Sequence, residues 1–330
     1  MVLGAGGAGA GGAAGSRSAG EPVAIIPLMH RHEVEPTDAE RHTTLRHGDG
    51  RALTPVPANA TAIFFGASYH ADYATILAAP GDLPAVADAL VEDLRARAAG
   101  TGPEWDALDL RRLRCGDPAA DALAAAFQRA EMGAGWTLNV EREDVCPVAP
   151  LPAGGTIDDY LDTLGKKERH EVRRKVRRAE AAGELAFTES RDPLADLDAF
   201  IELHQAKWGA EGLFPATEGG AQSRVLFRRL FELFGADGAL RLNFLTIGGR
   251  RVAASVHFET PDRILYYNAG VDPDARDLSP GVVLVERMIR RALERGQTAL
   301  DFLRGDEPYK YEWGAVDEPI QRLLVRREVA

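Results

Sequence analysis

Residues 276–281 read Arg-Asp-Leu-Ser-Pro-Gly and stand directly before an amphipathic segment. Ser279 is a preferred N-cap residue, and Pro280 suits the first helical turn, where its missing N–H is not needed. Apolar residues then recur at helical spacing up to Gly296, a residue type that suits the left-handed position after a helix. Such a helix start offers backbone N–H groups and the positive end of a dipole to an anion, and Arg276 adds a charge. The stretch therefore predicts a phosphate-binding loop, with an ordinary capped helix as the alternative.

Length and charge limit the classes of protein to which the chain can belong. At 330 residues it is expected to hold about two domains. The net charge of −11 argues against a dedicated nucleic-acid binder, because neutralising phosphates requires a broad basic surface, and we expect no specific DNA binding. The two cysteines, Cys115 and Cys146, fit a reducing compartment. No apolar run approaches the roughly 18–20 residues that span a bilayer, so we expect a cytoplasmic protein.

The first twenty residues are mostly Gly and Ala and show no periodic apolar pattern. Such a segment buries too little surface to offset its ordering entropy, which predicts a disordered tail over residues 1–20. A displaced chain start, with this segment replacing the front of the first domain, is the alternative.

Beyond residue 184 the hydrophobic pattern predicts a regular order of elements. The predicted elements are a strand at 185–188, helices at 193–207 and 225–234, strands at 240–247, 251–258 and 264–269, a helix at 280–295 and a strand at 299–303. The Gly248-Gly249 pair between two alternating runs predicts a hairpin. A strand that leads into a loop and helix and returns as a parallel strand forms a right-handed crossover, with its site at the carboxyl ends of the strands. We therefore predict an α/β fold with a mixed central sheet flanked by helices.

This order, with an Arg-x-x-Ser-x-Gly loop before the crossover helix, resembles the GNAT acyltransferase fold. The family's pyrophosphate loop usually reads Gln/Arg-x-x-Gly-x-Gly/Ala, and Ser279 stands where the central Gly is common. Residues 156–325 are more similar to the CelD/BcsL-type acetyltransferases, relatives of the Fem aminoacyl- and peptidyltransferases. The motifs behind this resemblance are Tyr160-Leu161-Asp162, Lys166-Lys167-Glu168-Arg169, His204 with Trp208, Ser279-Pro280-Gly281 and the run from Asp301 to Lys310. The segment from Tyr309 to Gly314 looks like the aromatic-Lys-x-x-aromatic-Gly signature shared with the Fem group.

The first half of the chain resembles a degenerate copy of the second. The matched segments are 22–26 with 251–255, 64–66 with 266–270, 80–81 with 280–281, 84–97 with 282–295, and 108–110 with 300–302. Ile76 occupies the position that matches Arg276 and cannot bind phosphate. The Fem resemblance implies tandem GNAT-like halves, and chance similarity is the alternative. This interpretation gives a degenerate N-terminal half at 21–150, without room for the opening strand and helices, and a C-terminal acyltransferase domain at 151–330.

The resemblance implies acetyl-CoA or another acyl-CoA as co-substrate. The residues expected to hold it through backbone N–H groups and one charge are Val271, Arg276, Ser279, Pro280, Gly281, Val282 and Val283. The residues expected to contact the acceptor are Tyr267, Trp208, Arg304 and Asp306.

Acyl transfer needs a group that stabilises the tetrahedral oxyanion, a base and an acid for the leaving group. Lys310 is the candidate for the oxyanion, with a surface ion pair to Glu307 or Glu312 as the alternative. Asp301, Asp306 and Glu307 follow the last predicted core strand, and Asp301 is the candidate base unless it is a structural carboxylate. Tyr309 is the candidate acid for the departing thiolate, unless its ring packs in the core. His204 and His257 are interpreted as structural, and no cluster has metal-ligand spacing, so we expect no metal.

The segment 166–178 carries eight Lys or Arg residues against Glu168 and Glu171, a local charge of +6. Val172, Val176 and Ala179 recur at helical spacing, which predicts a helix with a basic outer face. A solvated face is the ordinary interpretation, and the functional one is steering of a phosphorylated partner or contact with anionic lipid headgroups. The resemblance to the CelD-type branch implies an acyltransferase acting on an amine or hydroxyl of a sugar or cell-envelope precursor. A Fem-like transferase that uses aminoacyl-tRNA and a catalytically silent GNAT-like scaffold are the alternatives.

Overall fold

The structure, a computed structural model, describes residues 2–4, 22–32, 52–66, 70–102 and 104–327. Most of the predicted tail, residues 5–20, lies outside this part. The chain divides into two compact units. The N-terminal unit comprises Met1–Cys146, Arg304–Asp306 and Glu318–Ala330, and the C-terminal unit comprises Pro147–Leu303 and Glu307–Asp317.

The N-terminal unit is built on a mixed sheet. Its elements are β1 (Val2–Gly4), β2 (Pro22–Ile25), β3 (Leu28–Arg31), β4 (Ala62–Phe65), β5 (Leu77–Ala78), α1 (Leu83–Ala96), β6 (Ala107–Arg114), α2 (Pro118–Ala134), most of β7 (Trp136–Pro150) and, from Glu318, β13 (Val316–Arg327). The strand order is β3-β4-β6-β13-β7, and β1, β2 and β5 form a smaller sheet. Strand β4 pairs antiparallel with β3 and parallel with β6. Helices α1 and α2 bury their apolar faces in a core that includes Leu90, Phe127 and Trp105.

The C-terminal unit contains the segment that resembles the acyltransferases. Its elements are α3 (Ile157–Thr163), α4 (Lys166–Ala182), β8 (Leu185–Glu189), α5 (Pro193–Trp208), α6 (Glu218–Phe234), β9 (Leu240–Ile247), β10 (Arg250–Glu259), β11 (Arg263–Val271), α7 (Pro280–Glu294), β12 (Ala299–Asp301) and α8 (Pro308–Tyr311). In this unit the strand order is β7-β12-β11-β10-β9-β8, with the last residues of β7 contributing. Strands β11 and β12 are parallel, and the pairs β7–β12, β10–β11, β9–β10 and β8–β9 are antiparallel.

Two helix layers cover the sheet of the C-terminal unit. Helices α3, α4 and α7 pack on one face, with Val172, Ala179 and Met288 in that core. Helices α5 and α6 pack on the other face around Phe200 and Phe227. A Cβ on Gly270 in β11 would lie 2.5 Å from the backbone N of His204, so glycine is required where α5 crosses this strand.

The predicted α/β fold with a mixed sheet flanked by helices is confirmed, and three predicted details differ. Helix α6 begins at Glu218 rather than near 225. The side chain of Thr217 caps this start by accepting a hydrogen bond from the N–H of Gly220. Strand β12 ends at Asp301 rather than at 303, because Leu303 takes a positive φ of 57°. The proposed match of 22–26 to the strand 251–255 is wrong by one strand. Residues 28–31 pair antiparallel with β4, whereas β2 pairs with β5.

Candidate functional site

The parallel strands β11 and β12 separate after three paired residues. Arg263–Leu265 of β11 pair with Ala299–Asp301 of β12, and β11 then continues to Val271. The N–H of Asp272 donates to the carbonyl of Val252 in β10. Successive residues of an antiparallel strand point their N–H groups to opposite sides, so the N–H of the preceding residue, Val271, points away from β10 and toward the gap. The gap lies at the carboxyl ends of two parallel strands, where ligands bind in open α/β sheets.

Helix α7 begins beside this gap without a side-chain cap. Ser279 occupies the N-cap position, as predicted, but its φ of 53° and ψ of 48° are left-handed and its hydroxyl makes no capping bond. The N–H groups of Val282 and Val283 donate to the carbonyl of Ser279, at 3.0 and 3.2 Å, and the N–H of Ser279 donates to Arg276. Pro280 has no N–H. Among the described residues, the N–H of Gly281 therefore stands out as lacking a backbone acceptor.

Gly281 also lies against the end of β11. A Cβ on Gly281 would meet Cγ2 of Val271 at 3.8 Å and nothing closer, so the space around this residue is open. The start of α7 and the end of β11 thus present two outward N–H groups, those of Gly281 and Val271. Of the five residues from Ser279 to Val283 expected to offer N–H groups, the geometry singles out Gly281.

The basic helix α4 reaches the same loop. Nη2 of Arg178 donates to Oγ of Ser279 at 2.7 Å, which places an exposed guanidinium at the start of α7. Arg276 is also exposed, in the 3-10 turn Pro273–Leu278. One arginine, from a helix about a hundred residues earlier, therefore contacts the residue that begins α7, and a second, Arg276, stands in the turn just before it, with its carbonyl accepting the N–H of Ser279. Sequence reasoning noted the basic run but did not connect Arg178 with the loop.

Some of the basic residues of α4 form ion pairs with nearby carboxylates. Arg173 pairs with Asp158 and Asp162, Arg169 pairs with Asp162, and Arg174 pairs with Glu171. Within the described parts of the chain, no ion pair is formed by Lys167, Lys175 or Arg177. Lys167 and Lys175 line a pocket of about 250 Å³, whose wall also includes Glu168, Glu171 and Glu312.

Asp301 is fully buried at the end of β12. Its Oδ1 accepts the N–H of Leu303 at 2.8 Å, and its Oδ2 lies 3.5 Å from Nη1 of Arg263. These contacts favour the structural alternative for Asp301, because the carboxylate holds the left-handed turn at Leu303.

Lys310 is 2% exposed, so it is not a surface lysine. Its Nζ donates to the carbonyl of Leu303 at 3.0 Å. The same atom lies 2.9 Å from Oε2 of Glu307, an ion pair by distance, although that oxygen makes no hydrogen bond because the angle is unfavourable. The ion pair with Glu307 considered from the sequence is therefore present, in a buried setting. A backbone turn links Asp301, Leu303 and Lys310.

Tyr309 lies beside this group. Its ring makes an edge contact with Phe302 at 5.9 Å, and Tyr266 contacts Phe302 from β11 at 6.1 Å. Tyr309 is 43% exposed, but crowding around its hydroxyl, and then the charge of Glu307, raise the pKa of that hydroxyl. The hydroxyl is therefore protonated at neutral pH, as a proton donor must be.

The remaining predicted site residues lie elsewhere. Tyr267 stacks on Phe227 with ring centroids 5.7 Å apart, on the face covered by α5 and α6. Trp208 is 45% exposed at the end of α5. Arg304 and Asp306 belong to the N-terminal unit, where Nε of Arg304 lies 3.5 Å from Oδ1 of Asp72 and Asp306 is buried.

Both histidines considered from the sequence are buried. His204 packs among Phe200, Phe214 and Trp208, and burial lowers its pKa. Burial also lowers the pKa of His257, which lies 3.3 Å from Oε1 of Glu259. Among the residues with a described position, no group of three or more His, Cys, Asp or Glu could hold a metal ion. Within the same part of the chain, no helix has the length and apolar character to cross a membrane.

Comparison with known proteins identifies the fold of the C-terminal unit. Residues 166–311 match the family model described as "Acetyltransferase (GNAT) domain". The structure is similar to that of a conserved protein of unknown function from Bacteroides thetaiotaomicron, with 15% identity and a TM-score of 0.53 over 81% of this chain and 79% of that one. It is also similar to FemX, with 13% identity and a TM-score of 0.53 over 84% and 85% of the two chains. No curated protein matches the chain.

The family match confirms the resemblance to GNAT acyltransferases, and it covers the gap, the loop 276–281 and Lys310. The structural similarities, at identities this low, show the shared fold alone. Membership of the CelD/BcsL branch stays a prediction.

Proposed function

We propose that the protein transfers an acyl group from acyl-CoA to an amine or hydroxyl, and that the acceptor is a sugar or cell-envelope precursor. The observation that carries the proposal is the uncapped start of α7 at the gap between β11 and β12. There, the N–H of Gly281 has no backbone acceptor in the described chain, Arg178 contacts the neighbouring Ser279, and the exposed Arg276 stands in the preceding turn. An exposed helix start with two cations is suited to a diphosphate, and the GNAT domain match supports CoA as its source.

The open edge of β11 fits the arm that connects the diphosphate to the thioester. The N–H of Val271 faces the gap, so it can donate to an amide carbonyl of the pantetheine. The arm would then lead toward the end of β12, where Tyr309 and Lys310 lie near Leu303.

The groups near Leu303 can serve the chemical step in distinct ways. The ammonium of Lys310 is suited to stabilising the oxyanion that forms when the acceptor attacks the thioester carbonyl. The side chain of Glu307 is 39% exposed, so an acceptor can reach its carboxylate. We therefore assign Glu307 the role of general base, which takes the proton lost by the amine or hydroxyl. Tyr309 returns a proton to the departing thiolate. Asp301 positions the turn that holds Lys310, through the N–H of Leu303.

Calorimetry with the full chain tests the proposal. Native protein should bind one acetyl-CoA, and Arg276→Glu and Arg178→Gln should each weaken binding by about tenfold or more, because each removes a charge-assisted contact. Arg177→Gln is the matched control, since Arg177 is an exposed neighbour on α4, and it should change the affinity little. Pantetheine, which lacks the diphosphate, should bind all of these variants alike.

Two outcomes would contradict the proposal in different ways. Undetectable binding of acetyl-CoA to the native chain would favour the silent scaffold. Binding of charged tRNA in place of acetyl-CoA would favour the Fem-like transferase. Mass spectrometry of any small molecule that copurifies with the chain would identify the acyl donor or the acceptor directly.

A further inference from the structure

A cavity of about 210 Å³ lies in the N-terminal unit, where β4 and β6 separate. Apolar side chains form most of its walls, and charged side chains line one side. Its lining includes Phe64, Phe65, Ala74, Asp109, Arg111 and Arg112. All three charged side chains are at most 4% exposed. A cavity with apolar walls and buried guanidinium groups is suited to a ligand that has both characters.

The position of the cavity follows from the fold. Strand β4 pairs in parallel with β6 from Ala62 to Phe64, ending at Asp109, and β6 then continues to Arg114. In the C-terminal unit, the corresponding pair of parallel strands also ends after three residues, and its gap is the proposed acyl-donor site. The cavity therefore occupies the place in the N-terminal unit where this type of sheet opens.

Arg112 is held at the cavity in an unfavourable backbone conformation. Its φ of 66° is left-handed, which carries a free-energy cost for a residue with a Cβ. It lies in a bulge of β6, where the pairing with β13 shifts between Gln321 and Leu323. Its N–H donates to Oε2 of Glu143 at 2.9 Å, its guanidinium pairs with the same carboxylate, and its buried Nε has no acceptor among the described residues. Strained, buried and charged residues concentrate at ligand sites.

The charges around the cavity indicate which polar group a ligand must carry. Both oxygens of Asp109 accept from Arg322, at 2.7 and 2.8 Å, and its Oδ2 also lies 3.4 Å from Nε of Arg111. Arg111 and Arg112 share a further carboxylate, that of Glu143, so these two guanidinium groups and Glu143 together carry one positive charge in excess. Guanidinium groups only donate hydrogen bonds, so a ligand at Arg111 and Arg112 must present an acceptor. A carboxylate matches the planar donors, and its hydrocarbon portion matches the apolar walls, whereas inorganic phosphate has no apolar surface to bury there.

We propose that this cavity binds a small organic carboxylate, with its carboxylate near Arg111 and Arg112 and its apolar body against Phe64 and Ala74. The proposal does not rest on acyl transfer in the C-terminal unit.

Titration calorimetry of the full chain with three probes tests the proposal. Hexanoate should bind at one site. 1-Hexanol, which lacks the carboxylate, and inorganic phosphate, which lacks the hydrocarbon chain, should each bind at least about tenfold more weakly. Equal affinity for hexanoate and phosphate, or no detectable binding of hexanoate, would overturn the proposal.

Variants locate the site. Arg112→Gln combined with Glu143→Gln removes one of the two guanidinium groups together with the carboxylate that Arg111 and Arg112 share, and it keeps shape and hydrogen-bonding groups. It should weaken hexanoate binding by about tenfold or more. The control is Arg129→Gln with Asp88→Asn, which neutralises an exposed pair on α2 and α1 and should leave hexanoate binding unchanged. Ala74→Phe should abolish hexanoate binding by filling the cavity. If the buried double variant does not fold, as judged by thermal unfolding, Ala74→Phe decides the question. Hexanoate binding that survives Ala74→Phe would show that the cavity is not the site.

Discussion

The two units open their sheets in the same way but place different chemistry at the opening. In the N-terminal unit, β4 and β6 pair over three residues and end at Asp109, and in the C-terminal unit β11 and β12 pair over three residues and end at Asp301. A helix follows the first strand in both cases, α1 in one unit and α7 in the other. One backbone arrangement therefore occurs twice in the chain, with different side chains at each opening.

The helix starts differ most in charge. Asp82 stands at the N-cap of α1, where a carboxylate repels an anionic ligand. Gly281 and Val282 occupy the first turn of α7, and Arg178 lies on the adjoining Ser279. A strand opening alone therefore does not make an anion site. The residues at the helix start and the helix packed above it decide that property.

The two aspartates differ in their partners. Asp109 is held by Arg322 through two short hydrogen bonds, and both side chains are at most 1% exposed. Asp301 accepts a backbone N–H and has a more distant guanidinium, that of Arg263. We therefore expect Asp109 to contribute mainly to the stability of the fold, and Asp301 to act by holding the turn at Leu303.

The largest expected effect is on the stability of the N-terminal unit. Arg322→Met should lower the free energy of unfolding by about 3–5 kcal/mol, because it removes both short hydrogen bonds to the buried carboxylate of Asp109 and leaves only the longer contact with Arg111, at 3.4 Å. Chemical denaturation measures this change. Replacing both partners, Arg322→Met with Asp109→Leu, should recover much of the loss. A loss below about 1 kcal/mol in the single variant would mean that Asp109 finds another partner.

Gly281→Asp should separate ligand binding from stability. A carboxylate in the first turn of α7 should weaken acetyl-CoA binding by about thirtyfold or more, equivalent to about 2 kcal/mol, because it repels the diphosphate. The same change should leave thermal stability equal or slightly higher, since acidic residues stabilise helix starts and the space around Gly281 is open. Gly281→Asn is the neutral control. Unchanged acetyl-CoA affinity in Gly281→Asp would remove the proposed diphosphate site.

A smaller effect concerns an ion-pair network at the far end of α7. Burial opposes ionisation of Glu259, but His257, Arg291 and Arg295 outweigh it and lower the pKa of Glu259 from about 4.5 to about 2. A lowered folded-state pKa stabilises the fold above pH 4.5, and this stabilisation is lost as the pH falls toward 2. Glu259→Gln should therefore cost about 1–2 kcal/mol at pH 7 after allowance for solvent screening, and the difference from native protein should shrink between pH 4.5 and 2. Urea unfolding at several pH values measures this, and a difference that is constant with pH would contradict it.

The smallest effect is expected at Ser279. Ser279→Gly relieves the left-handed backbone but removes the hydroxyl that accepts from Arg178, and these effects should offset each other to within about 1 kcal/mol. Ser279→Val should be less stable than Ser279→Gly, because a β-branched side chain disfavours positive φ. Thermal unfolding of the two variants compares them directly. Equal stability would indicate that the loop adopts another conformation in solution.

Local patterns in the sequence predicted most elements of the C-terminal unit. Apolar spacing and Gly296 indicated α7, the Gly248-Gly249 pair indicated the turn between β9 and β10, and the basic run indicated α4. These features depend on residues close in sequence. The matching of the two halves also placed Asp109 opposite Asp301, although it assigned the wrong strand beside β4.

Contacts between distant residues could not be predicted in the same way. Arg178 and Ser279 are separated by about a hundred residues, and Arg322 and Asp109 by more than two hundred. No local pattern specifies which of many arginines meets which acceptor. The buried position of Lys310, beside the carbonyl of Leu303, likewise depends on a left-handed turn that an ordinary leucine does not signal.

The order of helices and strands and the loop at the start of α7 can be read from local sequence, because hydrophobic periodicity, proline and glycine act over a few neighbouring residues. The charges at each strand opening depend on the packed fold: Arg178 lies at Ser279, Arg322 on Asp109, and a strained Arg112 beside an apolar cavity. The physical reason is that burial and ion pairing depend on which elements pack together, and these pairings join parts of the chain that are far apart in sequence.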